Sequence, residues 1–149
     1  LSSAGVEDGA CLQLLIDAQK ALLVLTASED GTAKLWSTDL GESLRTFEGH
    51  ADSVLSAAWS PDSAVVATAS KDNTARLWCA ASSRCLRTLH GHRGWVNSAE
   101  FSAGGELLVT ASDDGSAIVW HIPSGKCFLR LEGHASFVSS AAPSAMSWM

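Results

Sequence analysis

The chain has 149 residues, of which 46% are hydrophobic and 17% charged, the composition of a folded globular protein and not of a disordered segment. Its formal net charge of −6 works against a broad grip on nucleic acid, because such binding needs a basic face that displaces counterions. No apolar run reaches the ~18 residues that span a bilayer, since the longest, around Leu12 to Thr26, is broken by Asp17, Gln19 and Lys20.

The first residues, Leu1 to Asp8, hold no basic start followed by an apolar stretch, so they do not read as a secretory signal. A chain that begins with Leu1 instead of Met reads as a piece of a longer protein. The four cysteines, Cys11, Cys79, Cys85 and Cys127, show no C-x-x-C pairing. They are too sparse for a disulfide scaffold, and reduced thiols in an intracellular, cytoplasmic setting fit them best.

One period organises the chain. Trp36, Trp78 and Trp120 stand 42 residues apart, and so do Thr26, Thr68 and Thr110, Asp30, Asp72 and Asp114, and His50, His92 and His134. The segments TASEDGTAKLW, TASKDNTARLW and TASDDGSAIVW align without a gap. Cutting at the histidines gives repeats at 8–49, 50–91 and 92–133, then an incomplete fourth at 134–149.

Within the middle repeat the pattern predicts four short strands in order: Ser53 to Trp59, Ala64 to Ala69, Thr74 to Cys79 and Cys85 to Leu89. The connectors Ser60-Pro61-Asp62-Ser63, Lys71-Asp72-Asn73 and Ala80 to Arg84 are rich in turn-forming residues. Such residues preset φ or hydrogen-bond their own backbone. Short β-rich runs at this spacing argue for an all-β meander.

These residues resemble the WD-repeat β-propeller family, whose units run about 40 to 45 residues with Gly-His near the start and Trp near the end. Gly49-His50, Gly91-His92 and Gly133-His134 carry the first element, and the three tryptophans carry the second. The Asp that usually follows the Trp is replaced by Ser37, Cys79 and His121. The resemblance implies three four-stranded antiparallel blades plus one extra strand, an open arc unless further blades or a second copy complete the ring. Closed propellers hold about 4 to 8 blades.

The resemblance also implies a structural network in each blade, in which the indole N–H donates to the hydroxyl, the hydroxyl to the imidazole and the imidazole to the turn carboxylate. It maps onto His50, Thr68, Asp72 and Trp78, and onto His92, Thr110, Asp114 and Trp120. The first blade has Thr26, Asp30 and Trp36 but Asp8 in place of His, so it should be the loosest of the three. Pro143 stands where Trp59 and Phe101 do, and a proline cannot donate to a ladder. The segment Pro143 to Met149 should therefore fray, with Trp148 off the period.

Three groupings invite a chemical reading and are outweighed. The His, Thr and Asp sets look like a nucleophile, base and acid, but they recur every 42 residues, as structural parts do and a single active site does not. Cys79, Cys85, His90 and His92 lack the usual zinc-ligand spacing. Gly104-Gly105 precedes a strand and not the helix that a phosphate cradle needs. No catalytic residue, metal or cofactor is expected.

The residues singled out for partner binding lie where the first strand of each blade starts and where the turn before the structural Asp projects, the rim that contacts partners in the family. They are Glu29, Ser53, Leu55, Lys71, Trp95, Asn97, Asp113, Phe137 and Ser139, with Trp95 and Phe137 at one repeat position as aromatic anchors. Arg45 and Arg87, equivalent on the outermost strands, read as charges that block edge pairing. The resemblance implies a non-catalytic scaffold or sensor that binds proteins or peptides, not membrane or nucleic acid, and that can self-associate through exposed blade faces. One alternative is the regulatory propeller arm of a signalling nucleoside-triphosphatase or kinase whose catalytic domain lies outside this chain. A ubiquitin-ligase substrate receptor is disfavoured, because the Arg its motif places three residues after the Trp is Asp39, Ala81 or Pro123 here.

Overall fold

Short β-rich runs separated by turn residues become strands: the computed structural model describes residues 22–145, and these hold eleven strands and no helix. Blade one contains β1 (Leu23–Ala27), β2 (Ala33–Ser37) and β3 (Glu42–Phe47). Blade two contains β4 (Val54–Trp59), β5 (Val65–Ser70), β6 (Ala75–Cys79) and β7 (Cys85–Leu89). Blade three contains β8 (Val96–Phe101), β9 (Leu107–Ser112), β10 (Ser116–His121) and β11 (Lys126–Glu132). Each blade is an antiparallel meander with its strands in sequence order. The strand limits expected for the middle repeat hold at its last strand, and elsewhere differ by one residue at one or both ends. An innermost strand for blade one would fall in residues outside the described range, as do Asp8 and Cys11.

The expected extra strand of the fourth repeat is not formed: residues 133–145 contain no strand. This segment does dock on blade three, the Val138 N–H donating to the Ser112 carbonyl at 2.9 Å. In blades two and three the innermost strand is held along its length by the second strand. No second strand follows among the described residues, so this backbone bond is not extended into a ladder. Pro143 to Ala145 likewise lie in no strand, and Trp148 is outside the described residues.

The β1–β2, β5–β6 and β9–β10 turns each carry a left-handed residue at one repeat position: Gly31 (φ 88°), Asn73 (φ 72°) and Gly115 (φ 85°). Glycine and asparagine tolerate that conformation best. The aspartate before it, Asp30, Asp72 or Asp114, accepts the backbone N–H two residues on at 2.9 Å in every blade. This closes the turn locally.

Blade faces stack to make the core. Ala33, Leu35 and Phe47 of blade one pack on Val54, Val66 and Trp78 of blade two, with the Phe47 and Trp78 rings 5.8 Å apart. The other face of blade two, with Leu77 and Leu89, packs on Val96, Leu108, Ile118 and Trp120 of blade three. Successive strand residues point to opposite faces, so Leu77 faces one neighbour and Trp78 the other. Small residues at Ala67, Ala69 and Ala99, all fully buried, let the sheets approach closely. Burying a large apolar side chain contributes about 1.5–3 kcal/mol.

The outer face of blade three has no such cover among the described residues. Phe47 and Leu89 are buried, whereas Leu131 at the same repeat position is 47% exposed, next to exposed Phe128 and Leu129.

Candidate functional site

In blade two the Trp78 indole N–H donates to the Thr68 hydroxyl at 2.8 Å. That oxygen lies 2.7 Å from His50 Nε2, and His50 Nδ1 lies 2.8 Å from Asp72 Oδ2. Blade three repeats the chain with Trp120, Thr110, His92 and Asp114 at 2.9, 2.8 and 2.9 Å. A neutral imidazole protonated on Nδ1 satisfies every bond: it accepts from the hydroxyl and donates to the carboxylate. Burial pushes the His50 and His92 pKa below the ordinary 6.5, against the pull of the aspartates.

Burial by itself would raise Asp72. The Thr74 hydroxyl, His50 and the Ala51 N–H outweigh it and hold the carboxyl at about 2. Asp114 is depressed in the same way. Each aspartate therefore caps its turn with one oxygen and grips the histidine with the other. Thr68 and Thr110 are fully buried, and their hydroxyls are engaged on both sides. Nucleophilic attack needs an activated hydroxyl at an accessible cleft, and these hydroxyls are not accessible.

Blade one keeps the Trp36 to Thr26 bond at 2.8 Å. Asp30 closes its turn on the Thr32 N–H and hydroxyl. Thr26 is exposed, unlike its two equivalents. Of the cysteines and histidines considered together, Cys79 and Cys85 are free thiols, and both nitrogens of His92 are bonded within its blade.

The rim residues divide by position. Trp95 is 46% exposed at the start of blade three, and Lys71, from the β5–β6 turn of blade two, sets its ammonium 4.4 Å from the Trp95 ring centroid. Asp113 adjoins Trp95, its N–H donating to the Trp95 carbonyl at 2.9 Å. Phe137 is 70% exposed, Glu29 and Ser139 are exposed, and Leu55 is half-buried.

Ser53 and Asn97 are spent on the fold. Ser53 is 8% exposed and donates to the Glu29 carbonyl of blade one at 3.2 Å. Asn97 donates to Asp113 at 2.7 Å and to the Val138 carbonyl at 3.0 Å. A partner cannot take those donors without breaking a contact between neighbouring repeats.

Two outer-strand arginines also tie blades together. Arg45 donates to the Ala81 carbonyl and Arg87 to the Pro123 carbonyl, each at 2.9 Å and each 36 residues on. Sequence reasoning missed Arg130, which donates to the Ser116 hydroxyl at 2.8 Å and to the Gly91 carbonyl, and stands 3.6 Å from Asp114. The available signal was its place: it occupies the position of Thr46 and Thr88, one residue off the other two arginines.

Four-stranded antiparallel meanders stacked face to face, each bolted by one tryptophan, threonine, histidine and aspartate set, define blades of a WD-repeat propeller. The family described as WD domain, G-beta repeat matches residues 9–37, 41–79 and 83–121, most of the chain. The chain belongs to this family, whose members generally serve as protein-interaction scaffolds.

Similar proteins include the SIR4-interacting protein SIF2 of Saccharomyces cerevisiae, 43% identical over 44 residues, which is 30% of this chain and 8% of that protein. The WD40 repeat-containing protein HOS15 of Arabidopsis thaliana is 43% identical over 47 residues, 32% of this chain and 8% of its own length. The human peroxisomal targeting signal 2 receptor is 49% identical over 39 residues, 26% of this chain and 12% of the receptor. The chain thus spans only a small fraction of the relatives it matches. No helix among the described residues is long and apolar enough to cross a membrane.

Proposed function

We propose that this chain is a non-catalytic protein-interaction module that holds partner proteins or peptides at the strand ends around Trp95. The observation that carries this reading is Trp95 itself, a large ring left half in solvent with a Lys71 ammonium stacked on it. Rigid aromatic side chains beside charges supply contact area at low entropic cost and are typical interface anchors. Asp113 extends the patch from Trp95, and Phe137 lines the same pocket as Asp113. Two relatives whose names denote an interaction and a receptor, SIF2 and the peroxisomal targeting signal 2 receptor, support a binding role.

The free thiols of Cys79, Cys85 and Cys127 support action in a reducing, intracellular compartment. The exposed face of blade three supports a second contact, with a further blade of a longer protein or with another copy of the chain. The test is quantitative capture of partners by the full chain and by Trp95→Ala, with circular dichroism confirming the fold. Partners should be lost from the variant. If every partner binds both forms equally, the assignment of this face fails.

A further inference from the structure

The end of the blades opposite Trp95 holds a second feature that the binding reading does not use. In an antiparallel meander the first and third turns of each blade lie at one end and the second turn at the other. The β4–β5 turn of blade two, the β8–β9 turn of blade three and the β10–β11 turn of blade three therefore gather at this far end. Between them lies a slot of about 290 Å³, lined by Pro61, Val65, Phe101, Ile122 and Pro123 and bordered by Asp62 and Glu106. Its volume sits at the low end for ligand sites, room for a side chain more than for a cofactor.

The slot offers apolar surface and negative charge but few free donors. The N–H groups of Ser60, Val65, Gly105 and Ile122 are all bonded within the blades. Arg87, at the neighbouring outer strand, is engaged with the Pro123 carbonyl. Asp62 accepts from the Ser60 hydroxyl and the Ala64 N–H with one oxygen, which keeps it ionised. The Glu106 side chain has no hydrogen bond, and neither carboxylate joins an ion pair, among the described residues. An occupant must bring both an apolar group and positive charge.

The backbone keeps the slot open. Gly105 adopts φ 77°, and a Cβ there would come within 3.4 Å of Pro61 Cδ. A Cβ on Gly104 would meet nothing within 4 Å, so the mouth has space over it.

We propose that this slot takes one apolar side chain of a partner peptide in which that residue is flanked by Arg or Lys. The carboxylates pair with the flanking cations while Val65, Phe101 and Ile122 cover the apolar side chain. This site is independent of the Trp95 face and does not rest on it.

The test is nuclear magnetic resonance of the isotopically labelled full chain, with three capped synthetic pentapeptides as probes: Gly-Arg-Leu-Arg-Gly, Gly-Glu-Leu-Glu-Gly and Gly-Arg-Gly-Arg-Gly. The first should shift the Val65 and Ile122 methyl signals saturably, and the other two should bind at least roughly tenfold more weakly. Gly104→Phe should plug the slot and abolish the shifts. Glu106→Gln, at an exposed position that leaves the packing intact, should weaken binding of the first peptide, and Trp95→Ala should not. Equal binding of the acidic peptide, equal binding of the peptide without leucine, or no shift at these methyl groups overturns the proposal.

Discussion

The ammonium of Lys71 lies 4.4 Å from the ring centroid of Trp95, and the two residues belong to different blades. Ring and cation attract through the quadrupole of the indole, with about 0.5–1 kcal/mol at a partly solvated site. A double-mutant cycle of Lys71→Met and Trp95→Ala, followed by urea unfolding, should return a coupling of that size. Additive effects would mean that the two residues merely lie near one another. The partner-capture experiment on Trp95→Ala then reads binding separately from this small stability term.

Threonine at the centre of each blade set should matter in proportion to its burial. Thr110→Val keeps the shape but strands the Trp120 N–H and His92 Nε2, both buried. Leaving each unpaired costs about 1–3 kcal/mol, so a total loss of about 2–6 kcal/mol is expected in chemical denaturation. Thr26→Val in blade one should cost less than ~1 kcal/mol, because water reaches the exposed site. Equal losses at the two positions would contradict this account of the network.

Acid should loosen the blades in two stages. His50 and His92 have folded pKa values below 6.5, so between those values and 6.5 the unfolded chain binds more protons than the folded one. Stability is therefore full above that window and falls as pH drops through it. Protonated His50 would also turn its acceptor into a donor, setting two N–H groups against the Thr68 oxygen. Asp72 and Asp114 are depressed below the usual 3.8, Asp72 to about 2, so their contribution is present above 3.8 and is lost on further acidification. Unfolding midpoints measured across the histidine window should decline with pH, and the decline should shrink in His92→Gln. A flat profile through that window would refute the histidine contribution.

The repeating parts of this fold are legible in the sequence because they answer local or within-blade demands. Strand ends follow turn residues, and Trp78, Thr68, His50 and Asp72 meet because each blade folds on itself at fixed offsets. Contacts between blades follow another logic. Arg45 and Arg87 read as edge charges until the structure shows them reaching the Ala81 and Pro123 carbonyls of the next blade. Ser53 aligns with Trp95 and Phe137, yet its small hydroxyl tucks under a neighbouring turn where the rings stand out. Alignment assigns a position on the blade, while side-chain length decides which neighbour is reached. The fourth repeat shows the same limit, since its opening residues match the pattern but a strand needs a second strand to pair with.

The glycine of each Gly-His pair gives a purely steric prediction at Gly91. Its φ is not left-handed, so backbone freedom is not what the position requires. A Cβ there would lie 2.9 Å from Trp120 Cη2 and 3.5 Å from Ile118 Cδ1. The indole cannot swing aside freely, because its N–H is fixed to Thr110 at 2.9 Å and its rings sit in the contact between blades two and three. Gly91→Ala should destabilise by about 1–3 kcal/mol, the usual range for overpacking, while Gly104→Ala should stay within about 0.5 kcal/mol. If the restraint on the indole is the cause, releasing it should relieve the clash. Gly91→Ala combined with Thr110→Val should therefore cost less than the sum of the two single changes, a coupling readable by urea unfolding. Strict additivity would place the cost of Gly91→Ala elsewhere than in the tryptophan.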